Sequence, residues 1–438
     1  MWLDDPLAMS TARTRRRAEV AHVYRRLSMG PQPDLVADTR TADDAIARAL
    51  DLATPAATPP AIAPPVDDEA ARQAGQIGTP IAWWVDQMQQ SPRLIEERLV
   101  WFWHDHFATG LQKVRYPYLM WQQHLTLRRN ATGSFATMLK EISRDPAMLL
   151  YLDGITNTAR ERNENFGREV MELFTLGHGH YTEQDVVEAS RAFTGWVVNI
   201  PGRPVARLLS NPAWTSAFVP SRFDAGTKTL LGTTGALDMD GALDVLLARD
   251  ATSERIAAKL YGTLVGTRPS DKTVRRLGKV LRDADYEVVP LVEAIVADGG
   301  FLAAEARNVR ARSPLEKLVG LIQAVPPTGT VVGRVGPRGQ SPGAGNALRT
   351  LGYVPFVPPN VAGFPDGSAL LGPHQMVHAF DLLSVYPTAP TVPATVDGLL
   401  DRLALVDVSD RTRTVLRDEP DPARRLALAV TAPEYSVM

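Results

Sequence analysis

Eight histidines stand in this chain, and six of them form close pairs: His104 with His106, His178 with His180, and His374 with His378. Imidazoles ligate transition metals and move protons near neutral pH, so geometry decides which pairs act together. Residues two apart on a helix point about 200° from each other, so His104 and His106 diverge if 94–107 is helical. Winding that helix out puts His106 among Ile95, Leu99 and Phe102, and His104 beside Glu97 and Val100. His106 is therefore the one expected in the core, held by hydrogen bonds or by a metal ion. His178 and His180 alternate with Gly177 and Gly179. An extended turn there aims both imidazoles at one side, where they converge on an ion; the same glycines also suit an exposed, uncommitted pair. His374 and His378 follow Pro373 at i, i+4 spacing, one face of a helix, but no Glu adjoins the first His and the metalloprotease motif is absent.

The acidic candidates lie in 163–176, which reads as one helix. Glu164, Arg168, Glu172 and Thr175 share a face, with Glu164 and Arg168 at the favourable i, i+4 spacing. Glu169 falls on the opposite arc with Leu173 and Leu176, in a sector that also holds Phe166 and Val170. A carboxylate taken out of water needs a cation, donors or a metal ion, or else a raised pKa. Glu169 is thus the leading functional residue; the alternative is a structural ion pair with an arginine of another helix. The site expected from these residues takes Glu169, Glu172 and His106 as catalytic groups and His104, His106, Glu169, His178 and His180 as metal ligands. The ion would be a divalent transition metal that activates water or oxygen, in a hydrolase or an oxidase. The rival function is a non-catalytic helical scaffold or partner-binding protein in which His106 and Glu169 form a buried polar network.

The elements that must position these groups are helices. Ser91-Pro92, Asp145-Pro146 and Ser313-Pro314 each place a capping residue before a proline, and Thr182 with Asp185 and Ser313 with Glu316 have capping-box spacing. Gly154, Gly177 and Gly195 follow apolar runs where a helix end calls for positive φ. Helices are expected at 19–27 and 42–50 within a short N-terminal unit, 1–52. The segment 53–68 is an Ala/Thr/Pro-rich linker or surface loop before a main helical domain, 69–438. Residues 197–234 break the rhythm with Pro and Gly and suit a small β-hairpin, and 326–346 is a second irregular stretch. The fold class is mainly α, one large helical domain with long irregular loops.

With 45% apolar and 22% charged residues among 438, the chain is globular in composition. It holds no cysteine, which removes disulfides, thiolate nucleophiles and Cys-ligated zinc. A net charge of -2 attracts neither nucleic acid nor anionic membrane, so neither is an expected partner. The local exception, Arg13, Arg15, Arg16, Arg17, Arg25 and Arg26, reads as a solvated helix face, or else as a dock for an acidic partner or a nucleic acid. No signal-peptide pattern and no run of 18 apolar residues is seen, so a cytoplasmic location is expected.

Several runs resemble the bacterial family catalogued as domain of unknown function 1800. They are Trp101-Phe102-Trp103-His104-Asp105-His106-Phe107, Asp145-Pro146-Ala147-Met148-Leu149, and Asn163-Glu164-Asn165-Phe166-Gly167-Arg168-Glu169 continuing through Leu173-Phe174-Thr175-Leu176-Gly177. Tyr181-Thr182-Glu183-Gln184-Asp185-Val186, Phe193-Thr194-Gly195-Trp196, Asp224-Ala225-Gly226-Thr227-Lys228, Ser313-Pro314 and Pro358-Pro359-Asn360-Val361-Ala362-Gly363-Phe364-Pro365 keep the family order over nearly the whole chain. The resemblance implies one mainly helical family domain with no established substrate. It also implies a protein partner, because members are commonly encoded beside a second uncharacterised, sulfatase-like family. Members often carry a histidine before the Asp-x-Gly-x-Lys stretch; this chain has Phe223 there, and its sequence after Phe364 diverges.

Overall fold

Capping decides where several of the helices begin. The computed structural model describes residues 6–72, 77–327, 348, 352–372 and 392–438. Asp145 Oδ1 accepts from the amides of Ala147 and Met148 at 2.9 and 3.1 Å. Thr182 with Asp185 and Ser313 with Glu316 form complete capping boxes. Ser91 departs from expectation: it ends one helix, and the next starts at Leu94 after Arg93. Gly177 and Gly195 take the positive φ of a helix end, whereas at Gly154 the left-handed position is taken by Asp153.

In chain order the helices are α1 (Pro6–Leu27), α2 (Pro33–Asp38), α3 (Ala42–Ala49), α4 (Asp68–Ala71), α5 (Gly78–Gln90), α6 (Leu94–His106), α7 (Leu111–Val114), α8 (Pro117–Asn130), α9 (Phe135–Ser143) and α10 (Pro146–Tyr151). After them come α11 (Asn165–Glu169), α12 (Glu183–Ala192), α13 (Met239–Leu247), α14 (Asp250–Val265), α15 (Asp271–Asp283), α16 (Val288–Val296) and α17 (Pro314–Ala324). The last described helices are Val396–Arg402, Asp410–Asp418, Pro422–Thr431 and Pro433–Ser436. The expected hairpin region holds two antiparallel pairs: Trp196–Val198 with Ser216–Phe218, and Lys228–Leu230 with Thr233–Gly235. The chain is mainly α, and no helix among the described residues is long and apolar enough to cross a membrane.

Helix α6 is the axis of the molecule. Twelve of its thirteen residues are buried, so it is covered on all sides and not on one stripe. Helices α1, α5 and α8 pack on it. Its charged residues enter the interior already paired: Glu97 takes both guanidinium nitrogens of Arg128 at 2.7 Å, and Arg98 pairs with Glu316 of α17. The N-terminal helix joins the same core through Tyr24 and Leu27. Arg25 and Arg26 correct the expectation of a solvated arginine face. Both are buried, because α1 lies against α14 and α6 and their guanidiniums serve main-chain carbonyls of Ala404, Ala306 and Met438. Arg13, Arg15 and Arg16 are exposed as expected. The Ala/Pro-rich segment is a surface loop: its Pro60 and Pro65 carbonyls accept from the indoles of Trp121 and Trp214 at 3.1 and 2.8 Å.

The stretch read as one helix over 163–176 is two elements. Helix α11 runs only from Asn165 to Glu169, and Val170–Phe174 form a π-helical turn. Helix α12 approaches α11 closely at Gly167, where an added Cβ would stand 2.6 Å from Ser190 Oγ and 3.1 Å from its amide. Gly167→Ala is therefore expected to lose about 1–2 kcal/mol in urea unfolding, overpacking outweighing the better helix propensity of alanine. A gain in stability would refute this close approach.

Candidate functional site

A π-helical turn inserts a residue into the α ladder and leaves carbonyls free for outside donors, which is why such turns recur at functional sites. Here Thr175 turns inward and its hydroxyl donates to Val170 O at 2.7 Å, while the amide of Gly177 donates to Met171 O at 3.0 Å. Thr175 is buried, a correction to the shared face with Glu164 and Arg168, because the extra residue rotates every later side chain of the turn. Two carbonyls point away. Leu173 O faces the Arg255 guanidinium at 3.4 Å, and Phe174 O accepts from His106 Nε2 at 3.1 Å. Gly177 is needed where it stands: its φ is +85° and a Cβ would meet Arg255 Nη1 at 2.8 Å.

His106 ends α6 in the core, as its apolar arc requires, and both its ring nitrogens are engaged. The second partner is Lys259 of α14, whose Nζ lies 2.9 Å from His106 Nδ1. An ammonium can only donate, so Nδ1 is the acceptor and Nε2 carries the hydrogen that goes to Phe174 O. The imidazole is held neutral: burial pushes its pKa well down, and the cations of Lys259 and Arg255 push it further. Lys259 is itself pulled to about 8, by burial first and by Arg255, against the opposing pull of Asp105. Burial raises the Asp105 carboxyl, although its Oδ1 accepts from the Phe364 amide at 2.7 Å. That contact places the Gly363-Phe364-Pro365 segment on the end of α6. Only glycine fits at 363, where φ is +104° and a Cβ would lie 2.4 Å from Asp105 Oδ1.

Beyond Arg255 the groups face solvent. Glu172 Oε1 meets His178 Nε2 at 2.7 Å, and Glu172 Oε2 accepts from the Tyr181 hydroxyl at 2.7 Å. Glu169, three residues earlier, is half-buried; burial raises its carboxyl and the like charge of Glu172 raises it further. Tyr181 is pushed up to about 12 by burial and by its bond to Glu172. His178 and His180 are exposed.

The structure thus brings together Glu169, Glu172 and His178 on one face, and His106 behind them through Lys259 and Arg255. It does not bring His104 in. Both histidines of α6 are buried, a correction for His104, because Trp84 and Phe356 cover the Glu97 side of the helix. His104 Nε2 accepts from the Phe356 amide at 3.0 Å and looks away from His106. Among the described residues no group of three or more His, Asp and Glu side chains is placed to hold a metal ion. His374 and His378 lie outside the described residues. Sequence reasoning missed Lys259, Arg255 and Tyr181. The first two carried a signal: cations at i, i+4 on a helix otherwise lined by Ile256, Leu260 and Leu264.

Four histidines are buried and neutral. His22 and His104 are held at about 3 and His106 and His124 far below the ordinary value, with burial the largest cause in each. In the unfolded chain each titrates near 6.5 and binds protons that the folded chain refuses, so stability falls as pH drops below that value. Together the four are expected to cost about 5 kcal/mol between pH 7 and 5.5, offset by about 1–2 kcal/mol from Asp145, whose carboxyl burial raises to about 7 so that the folded chain takes up its proton in the same window; urea unfolding at both pH values reads the net loss. A change under about 1 kcal/mol would mean that these imidazoles accept protons in the folded state.

Comparisons with curated proteins and with solved structures returned no match. A family model described as protein of unknown function (DUF1800) matches residues 22–437, a span that includes α6, the π-turn, α14 and the segment docked on Asp105. The chain belongs to that family.

Proposed function

We propose that the chain is an enzyme of the proton-transfer type, in which Lys259 moves the proton, the neutral ring of His106 holds it in place, and the open face of Glu169, Glu172, His178 and Tyr181 meets the substrate. One observation carries this reading: a half-buried lysine, its pKa near 8, donates to a neutral imidazole at 2.9 Å. A base of that strength exchanges its proton near physiological pH, whereas an ordinary lysine stays charged. Single π-turns recur at functional sites, and strongly perturbed titratable groups cluster there. His106 would hand its neutral Nδ1 to the ammonium and so steady the free amine and the charged form alike. Arg255, between the two halves, would orient an anionic substrate group.

A second reading keeps the divalent metal ion. Glu169 and Glu172 are like charges on one turn, with an imidazole already on one of them, and such a set is drawn together by a cation. Glu169, Glu172 and His178 are not placed to hold an ion as they stand and would have to close up to do so, with His180 on the same glycine-flanked turn. It would supply Lewis-acid activation of water or oxygen.

The two readings separate cleanly. With ¹³C-methylated protein, the Lys259 resonance, assigned by its loss in Lys259→Met, should titrate with a midpoint of about 8; a midpoint near 10.4 contradicts the first reading. Elemental analysis of protein purified without chelator or histidine tag tests the metal: about one equivalent supports it, and less than about a tenth of an equivalent removes it.

A further inference from the structure

Helix α15 takes no part in the candidate site. It carries five cations, Lys272, Arg275, Arg276, Lys279 and Arg282, against two carboxylates, in a chain whose net charge is -2. Helical winding gathers all five within about a third of the circumference, with Asp283 among them, and sets Leu277, Gly278 and Leu281 on the opposite side. That opposite side is buried, and α14 and α16 pack on the helix. The cationic arc faces outward: Lys272, Arg275, Arg276 and Lys279 are exposed and Arg282 is half-buried.

One end of the arc is neutralised within the molecule and the other is not. Arg276 pairs with Asp298, Lys279 with Asp283 at 2.6 Å and Arg282 with Asp250 at 3.1 Å. Lys272 and Arg275 make no ion pair or hydrogen bond among the described residues, nor does Arg268, exposed just before the Ser270 cap. Lys272 stands in the first turn, where the helix dipole favours acids and disfavours cations. It has like charges at i+3 and i+4 in Arg275 and Arg276, and Arg275 has another at i+4 in Lys279. The helix carries these charges at a cost that a partner of opposite charge would relieve.

The surroundings limit what can meet the stripe. Exposed carboxylates stand on the helices packed beside it, Asp250 at the start of α14 and Glu293 on α16. A nucleic-acid duplex or an anionic membrane spreads its charge wider than one helix and would be set against these carboxylates. A single acidic protein segment is narrow enough to pair with the stripe alone, and glutamates at i, i+3 and i+4 repeat along a helix at the interval of these cations. Arg268 and Arg275 add forks that take a carboxylate through two donors.

We infer that the outer face of α15, centred on Lys272 and Arg275 and extended by Arg268, docks an acidic segment of a partner protein. The inference stands apart from the proposed proton-transfer chemistry.

The test is fluorescence anisotropy of a labelled, helix-forming peptide with glutamate at every third or fourth position, titrated with the full chain. Binding should saturate at about 20 mM salt and weaken by about tenfold or more at about 200 mM. Lys272→Glu with Arg275→Glu should weaken it by about tenfold or more, whereas Arg13→Glu with Arg16→Glu, an equal charge change on exposed arginines of α1, should shift it by less than about twofold. If the reversed pair misfolds, Lys272→Gln with Arg275→Gln takes its place. No saturable binding of the peptide to the parent, or an equal loss in the α1 and α15 variants, overturns the inference. So does tighter binding of duplex DNA, or of vesicles with about one-third phosphatidylserine in sedimentation.

Discussion

A single neutral imidazole ties the candidate site together. His106 ends the buried helix α6, gives its Nε2 hydrogen to a carbonyl freed by the π-turn, and receives the ammonium of α14 on Nδ1. Three segments distant in sequence meet on one ring. If the ring were protonated, Nδ1 would turn from acceptor to donor and face a second cation at 2.9 Å. Neutrality at position 106 is therefore the condition under which α6, the π-turn and α14 can coexist, and burial among Phe102, Trp103, Phe107 and Phe135 enforces it.

The same logic runs through α6. A helix covered on every side has no face on which to leave charge, so Glu97 and Arg98 came inside with partners, and His104 with a backbone amide. Such pairs contribute little net stability, since desolvation cancels most of the attraction, yet removing one partner is costly. They act as register marks: Glu97 fixes α6 against α8, and Arg98 fixes it against α17. The loop bearing Phe364 adds a third mark at Asp105.

Much of this was legible from residue types and spacing. The divergence of His104 and His106, the burial of His106, the half-burial of Glu169 and the capped starts at Asp145, Thr182 and Ser313 all follow from helical periodicity and local hydrogen bonding. What was not legible depends on tertiary contacts. Periodicity cannot show that five residues after Glu169 would wind as a π-turn, because the turn is held by His106 and Arg255 from elsewhere. Nor can it show that Arg25 and Arg26 are buried, since an arginine reads as solvated until a chain segment supplies carbonyls for it. His104 was placed beside Glu97 correctly, but the cover from Trp84 and Phe356 is contributed by other parts of the chain. Lys259 reads from its own helix only as a cation among apolar residues, because the ring that defines its role sits 153 residues away.

The centre proposed for this chain is a lysine on a neutral histidine, with two carboxylates on the face beyond. The account stands on the protonation and tautomer of His106, and ¹⁵N imidazole NMR reads both directly. It predicts for His106 a neutral ring with hydrogen on Nε2, unchanged across the range in which free histidine titrates. An imidazolium signal for His106 at neutral pH, or hydrogen on Nδ1, would contradict it.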